Sequence, residues 1–384
     1  MSTVSIQQPI APASSAGRYS RMSSVIWVSL ALWVASILFV NMVSRLATWE
    51  GMGIALYHGS ADLCRWDCHY YAMVMEHGYG KTPVPPDGFA DWPFHPVFPL
   101  TAYPFFHWFK LSYRTSMVFA SRGTLLLAIF GFVLMARDPG DSTADHFRTG
   151  SLVAFNPYVI YAHAGYAEPL YFALFCFAYV LARRRQWIAS GSVAAVLSVT
   201  RVVGFLFSLC YAVMWLRDPE ARVNWRRTDL DRVIGLLLCP LGAAVFLLYM
   251  YHLTGDALAA QAHIHVAWHK IAGDPFSVLL MALHVHGWAR VWGAMSVVGL
   301  LASAWLVKLG KPELGIFLAI TILLALSANY WGTARYLWWQ PPFLYAIHCF
   351  LKRHAGWWNV YIAFAAAMGA FMIIAWFSGH NFVV

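Results

Sequence analysis

Four charged residues stand where an apolar chain does not normally carry charge. Asp67 lies in Arg65-Trp66-Asp67-Cys68, Glu168 in Tyr166-Ala167-Glu168-Pro169, Arg201 in Thr200-Arg201-Val202, and Arg335 in Ala334-Arg335-Tyr336. Glu168, Arg201 and Arg335 each border a long apolar run. Charge at that depth is costly unless it is paired or solvated. A carboxylate so placed can take a proton from a hydroxyl. A guanidinium matches a phosphate through parallel hydrogen bonds. Asp67 is thus a candidate base, and Arg201 and Arg335 are candidate phosphate holders. Glu168 would orient a substrate or one arginine. Each also has a plainer use. Asp67 can be the acidic residue that a helix N-terminus favours. Glu168 can be a structural partner of Arg201, and either arginine can meet a lipid headgroup or a protein carboxylate.

The elements that must position these residues follow from composition. Of 384 residues, 60% are hydrophobic and 11% charged. A soluble domain carries about 25% charged residues, so this chain cannot cover a water-exposed surface of its size. The mean hydropathy of +0.58 agrees. Soluble enzyme, nucleic-acid binder and disordered scaffold are all poor readings, and a polytopic all-α membrane bundle is the good one. The six cysteines form no zinc-type pairs and suggest no disulfide framework.

Residues 1–22 read as a short disordered cytoplasmic tail, followed by one transmembrane domain over 23–384. The first apolar run, Ser24 to Ser44, is too long for a signal-peptide core. Ten more runs follow, at 115–136, 149–163, 168–182, 187–201, 203–216, 231–252, 288–308, 312–330, 335–351 and 357–378. Together they predict about eleven spans, several short enough to be tilted or half-spans. Segment 96–113 holds three prolines and two basic residues and reads as interfacial. With the N-terminus inside, 16 of the 26 Lys and Arg residues fall on the cytoplasmic side. Counting 96–113 as a span would move Arg183-Arg184-Arg185 outside, against the positive-inside rule. Two large outer loops result, 45–114 and 253–287, and the four charged residues all fall on that face.

The outer loops carry further candidates. Within Cys64 to Tyr79, Trp66, Tyr70, Met73 and His77 share one face of an amphipathic surface helix that has Asp67 near its start and is ended by Gly78. Arg65, Trp66 and Tyr71 flank Asp67 as substrate contacts. Asp91 opens a proline-aromatic strip running to Leu100, expected to be rigid and extended. Tyr166 precedes Glu168 after a helix-breaking Asn156-Pro157. Gln261 and His263 follow Gly255-Asp256-Ala257-Leu258 and suit a polar substrate. His263, His265 and His269 do not make a metal site, because only His265 and His269 share a helical face and no His-Glu-x-x-His is present. No metal is expected. Cys64 and Cys68 read as free or packed, since a disulfide at that spacing would strain a regular helix.

These motifs, in this order, resemble the PIG-V-like mannosyltransferases, integral-membrane glycosyltransferases of the GT-C class. Arg65-Trp66-Asp67 with Tyr71 and His77-Gly78-Tyr79 resembles their "RWD…WY…A..GY" signature. Phe94 to Leu100 resembles "FFPLYPL", with His95 and Val97 as departures. Asn156-Pro157 with Tyr166, Glu168 and Leu170 resembles "NP……YSESLF", with Ala167 and Pro169 as departures. Thr200-Arg201 with Gly204, Gly255 to Gln261 with Trp268, and Arg335-Tyr336 resemble "TR..G", "GDPLAF..AQ..W" and "RY", with Ala257 in place of Pro. The resemblance covers about residues 60–345. It implies an outer-face active site, a polyprenyl-phosphate-linked sugar as donor, Asp67 as the catalytic carboxylate and inversion at the anomeric carbon.

The expected function is therefore transfer of a hexose, mannose by resemblance, from a polyprenyl-phosphate donor to a glycan, glycolipid or protein acceptor. No cofactor is expected, because the lipid-linked sugar is a substrate. The partners are that donor, the acceptor and the bilayer, with no nucleic acid. No Gly-rich nucleotide loop is present, which disfavours a nucleotide-sugar donor. The expected location is a bacterial inner membrane with a periplasmic site, or the endoplasmic reticulum with a lumenal one. The competing readings are a lipid-linked-sugar transporter or flippase and an accessory subunit of another transferase. A transporter would favour internal repeats and midplane helix breaks, whereas here the polar groups gather at one face.

Overall fold

The structure is a computed structural model that describes residues 15–49, 59–82, 90–219, 227–267 and 273–380. Among these residues every regular element is helical. The first helix, α1 (Ser15–Trp49), begins inside the expected tail, and residues 1–14 of that tail lie outside the described residues. A short 3-10 turn and the surface helix α2 (Asp67–His77) follow, then α3 (Val97–His107), α4 (Tyr113–Ala136) and α5 (Thr143–Ala154). The middle of the chain holds α6 (Glu168–Arg183), α7 (Trp187–Ser198), α8 (Phe207–Arg217), α9 (Arg227–Leu238) and α10 (Leu241–Thr254). The rest is α11 (Ala259–Ala267), α12 (Pro275–His284), α13 (Trp288–Lys308), α14 (Pro312–Ala328), α15 (Thr333–Trp338), α16 (Pro341–Arg353) and α17 (Trp358–Phe377).

Each predicted apolar run is present as a helix or a broken helix, but the described residues hold five stretches long and apolar enough to cross a membrane. These are Met22–Thr48, Tyr113–Ala136, Asp229–Thr254, Trp288–Lys308 and Ala355–Phe377. The other runs are shorter because particular residues end them. Asn156 accepts from the Tyr158 amide and Pro157 follows, so the helix stops at Ala154. Gln340 stands before Pro341-Pro342 and separates α15 from α16. Pro240 interrupts the long stretch Asp229–Thr254 between α9 and α10 without removing it from the five. The strip 91–100 is not extended throughout. It turns at 91–96 and enters α3, where Pro99 occupies the first turn, whose amides lack intrahelical partners anyway.

Without water, a helix bundle closes by near contact of small residues and by satisfying its hydroxyls. Gly191 of α7 lies on Gly235 of α9 so closely that a Cβ would sit 2.2 Å from the Gly235 carbonyl oxygen. Buried hydroxyls donate to carbonyls one turn back, as in Ser29 to Val25 (2.8 Å) and Thr321 to Phe317 (3.0 Å). Ser36 reaches across from α1 to the Ala154 carbonyl at 2.7 Å. Most of α6 is buried, and it packs against α4, α7 and α8. Glu168 begins it and Arg183 ends it.

Candidate active site

Four breaks in the helices place the charged residues together. Glu168 is the first residue of α6, Arg201 lies just past α7, Arg335 sits in the one-and-a-half-turn α15, and Asp67 opens α2. Glu168 Oε1 receives Arg335 Nη2 at 2.6 Å, Arg335 Nε at 2.7 Å and Arg201 Nη1 at 2.9 Å. Arg335 Nη2 also reaches Asp67 Oδ2 at 3.4 Å. Glu168 is thus the partner of Arg201, as one sequence reading expected, and equally of Arg335.

The quartet is not uniformly buried. Side-chain exposure is 1% for Glu168 and 7% for Arg335, against 21% for Arg201 and 23% for Asp67. Glu168 and Arg335 form the floor, while Arg201 and Asp67 keep access to solvent. The floor is walled by rings. Arg335 Cζ lies 4.2 Å from the Tyr161 ring centroid and 4.8 Å from that of Tyr166, and Arg201 lies 5.2 Å from that of Tyr336. Such faces stabilise a guanidinium where water is scarce. Burial raises the Asp67 carboxyl above its ordinary value, outweighing the pull of Arg335. A raised carboxylate is the better base near neutral pH.

The turn carrying Asp67 is fixed from several sides. Trp66 has φ 48°, an uncommon conformation for a residue with a side chain. Its ring meets Trp376 edge-on at 4.4 Å. Arg65 donates to the Trp376 carbonyl at 3.2 Å and lies over the Phe377 ring. The Tyr166 hydroxyl donates to the Arg65 carbonyl at 3.2 Å. Arg65, Trp66 and Tyr166 therefore hold the turn against α17 and α6. Tyr71, one helical turn beyond Asp67, packs edge-on to Phe94 and Phe98.

The expectation of unlinked cysteines is corrected here. Cys64 and Cys68 form a disulfide with Cα atoms 5.3 Å apart. The objection assumed one regular helix through both residues. The helix begins at Asp67, so Cys64 lies before it in extended backbone and is free to meet Cys68. The bridge closes around Arg65-Trp66-Asp67. It packs on Gly165, whose φ of +79° and a would-be Cβ 2.5 Å from Cys68 Sγ both demand glycine.

Asp91, Gln261 and His263 are not part of the quartet. They accompany a smaller core in which Ala90 and Trp92 pack with Phe246, Met250, Ala259 and Ala260. His263 Nε2 accepts from the Ala90 amide at 2.7 Å, and its ring meets Trp92 edge-on. Asp91 is buried, which raises its carboxyl above the ordinary value. Gln261 keeps a buried side-chain oxygen without a partner among the described residues. Phe94 joins the two groups by stacking on Tyr70 of α2. His269 and Trp268 lie outside the described residues. The sequence reading missed the disulfide, Gly165 and the ring walls Tyr161 and Tyr336. Tyr336 could have been found from its place beside Arg335. Nothing local to Tyr161 pointed to a partner 174 positions away.

Neither a protein-family model nor a curated protein matches the chain. Solved structures do. The archaeal oligosaccharyltransferase AglB from Archaeoglobus fulgidus, in complex with an inhibitory peptide and a dolichol-phosphate, is similar at 15% identity and TM-score 0.51. That alignment covers 90% of this chain and 55% of the archaeal one. The same oligosaccharyltransferase tethered to an acceptor peptide gives 14% identity, TM-score 0.49 and coverage of 91% and 55%. The chain thus spans about half the length of the structures it matches. At this identity the likeness is one of fold.

Proposed function

We propose that the chain is a membrane glycosyltransferase that moves a hexose from a polyprenyl-phosphate donor to an acceptor hydroxyl at the outer face. The observation that carries this reading is the solvent-reaching pair of Asp67 and Arg201, joined through the buried Glu168 and Arg335. A base and a phosphate-holding cation are the two groups such a transfer needs. The dolichol-phosphate held by the similar archaeal fold supports a polyprenyl-phosphate tail on the donor. Mannose as the sugar, and kinship with the PIG-V-like enzymes, rest on the sequence motifs.

In this reading Asp67 takes the proton of the acceptor hydroxyl. The hydroxyl oxygen bonds to the anomeric carbon from the side opposite the phosphate, so configuration inverts. The bond from that carbon to the phosphate oxygen breaks, and its electron pair leaves with the polyprenyl phosphate. Arg201 takes up the charge that develops there, because it is the more accessible arginine. Arg335 is committed to Glu168 and Asp67, and its main task is to aim the Asp67 carboxylate. Asp91, Gln261, His263 and Tyr71 line the approach of sugar or acceptor. The single transmembrane domain and its outward site complete the reading. The disulfide beside Asp67 supports that orientation, because disulfides persist in the periplasm and the endoplasmic reticulum lumen.

The test is transfer of radiolabel by the purified protein from polyprenyl-phosphate mannose, with membrane extract as acceptor source. Acceptor-dependent labelling that vanishes in Asp67→Asn is the expected result. No labelling from any polyprenyl-phosphate sugar, with movement of the donor across proteoliposomes instead, would replace this reading with a flippase.

A further inference from the structure

One buried ring close to the quartet has an unmet hydrogen-bonding atom. His95 ends the turn before α3, and it is 8% exposed. Its ring packs on Phe246 of α10 with centroids 4.7 Å apart, and it hydrogen-bonds the backbone of Val199 at the end of α7. Its Nδ1 has no partner among the described residues. A buried polar atom left unpaired is destabilising, so an unpaired one beside a candidate site points to a ligand group that meets it.

The chemistry of the atom narrows what that is. The Val199 contact takes the protonated nitrogen, which leaves Nδ1 as a bare lone pair. Burial and the nearby Arg201 charge push the ring to about 4, so it is neutral at physiological pH. A neutral lone pair needs a hydrogen donor. A phosphate diester offers none, whereas a sugar ring offers several hydroxyls. Val199 is two residues from Arg201, so His95 lies next to the position taken by the donor phosphate. The donor sugar hangs from that phosphate by a single bridging oxygen. Gln261, next to Ala260 of the small core that holds Phe246, has a second buried acceptor atom without a partner among the described residues.

Resting on the transferase reading, we propose that His95 Nδ1 accepts a hydroxyl of the donor sugar and so contributes to the choice of sugar. The position is a phenylalanine in the family pattern that the sequence resembles, so the contact would be particular to this chain. His95 binds in this role and removes no proton.

The experiment compares detergent-solubilised full-length protein, wild type and His95→Phe, by thermal shift. The probes are polyprenyl phosphate alone and polyprenyl phosphate carrying mannose, glucose or galactose. Wild type should bind one sugar-bearing lipid more tightly than the bare lipid. His95→Phe should bind the bare lipid as wild type does and bind that sugar lipid about 3- to 10-fold more weakly, the loss of one neutral hydrogen bond. His95→Gln, which keeps an acceptor oxygen, should restore part of the difference and serves if the phenylalanine variant does not fold. Equal affinity of wild type and His95→Phe for every sugar lipid overturns the proposal while leaving the phosphate site standing. A wild type that binds none of the four lipids overturns the transferase reading, and this contact with it.

Discussion

The molecule carries two buried ion-pair networks, one at each end of α6, and they are built differently. At the Arg183 end, Arg232 pairs with Asp229 at 2.9 Å and Asp218 at 2.8 Å, and Arg185 joins Asp218 at 3.0 Å. These partners are near in sequence, and Arg232 with Asp229 is an i,i+3 helix pair. Lys352, bridging Asp138 and Asp141 from a distant part of the chain, adds a more exposed staple on this side. At the Glu168 end the partners come from four separate parts of the chain, and one carboxylate oxygen serves both arginines. The floor there is dry, yet Asp67 and Arg201 reach water. The first network closes helix ends. The second holds two opposite charges partly uncovered at a fixed separation, which a structural staple does not require.

Breaking the shared carboxylate should have the largest effect. Glu168→Gln leaves two arginines with only Asp67 between them. Removing one partner of a buried pair costs about 3–5 kcal/mol. Melting of the purified protein should fall by many degrees, and transfer should be lost together with stability. Asp67→Asn should separate the two properties, with melting close to wild type and transfer down about 10²–10⁴-fold. Loss of both would make Asp67 a staple like Asp229.

Arg201→Gln should weaken binding of polyprenyl phosphate about 10-fold or more, the value of a charge-assisted hydrogen bond, read by thermal shift with the bare lipid. A pH profile sharpens the role of Asp67. A base works only when unprotonated, and burial raises its carboxyl above the usual 3.8. The acid limb of kcat/KM should therefore lie above that value, with the rate falling as pH drops through it, and it should be absent from residual Asp67→Asn activity. The smallest effect belongs to the other end. Asp229→Asn leaves Arg232 its Asp218 bond, so stability should drop by about 1 kcal/mol with transfer unchanged.

The charged residues and the surface helix were legible in the sequence because their signals are local. The shared face of Tyr70, Met73 and His77 and the Gly78 stop need only residues within one helix, and an arginine in an apolar run is conspicuous wherever the chain goes. The pairing of Glu168 with Arg335 was not legible, because it depends on how helices 167 positions apart come together. The disulfide was hidden for another reason. Periodicity carried the helix back through Cys64, although backbone geometry starts it at Asp67. Hydropathy likewise ran through Asn156-Pro157 and Gln340-Pro341, since it does not register a missing amide hydrogen. That is why eleven apolar runs appear and only five long apolar helices stand among the described residues.

The shortness of α6 has a consequence for depth. Its 16 residues rise about 24 Å, less than the roughly 30 Å of a bilayer's hydrocarbon. In the proposed orientation, with Arg183 at the inner boundary, Glu168 would lie beneath the outer headgroup plane, and the charged floor would form the bottom of a well sunk into the membrane. In that reading the phosphate of a lipid-linked donor would reach the floor laterally, with its chain still in the bilayer, while a water-borne hydroxyl would descend from above. The two reactants would thus arrive by separate routes, one sideways through lipid and one vertically through water.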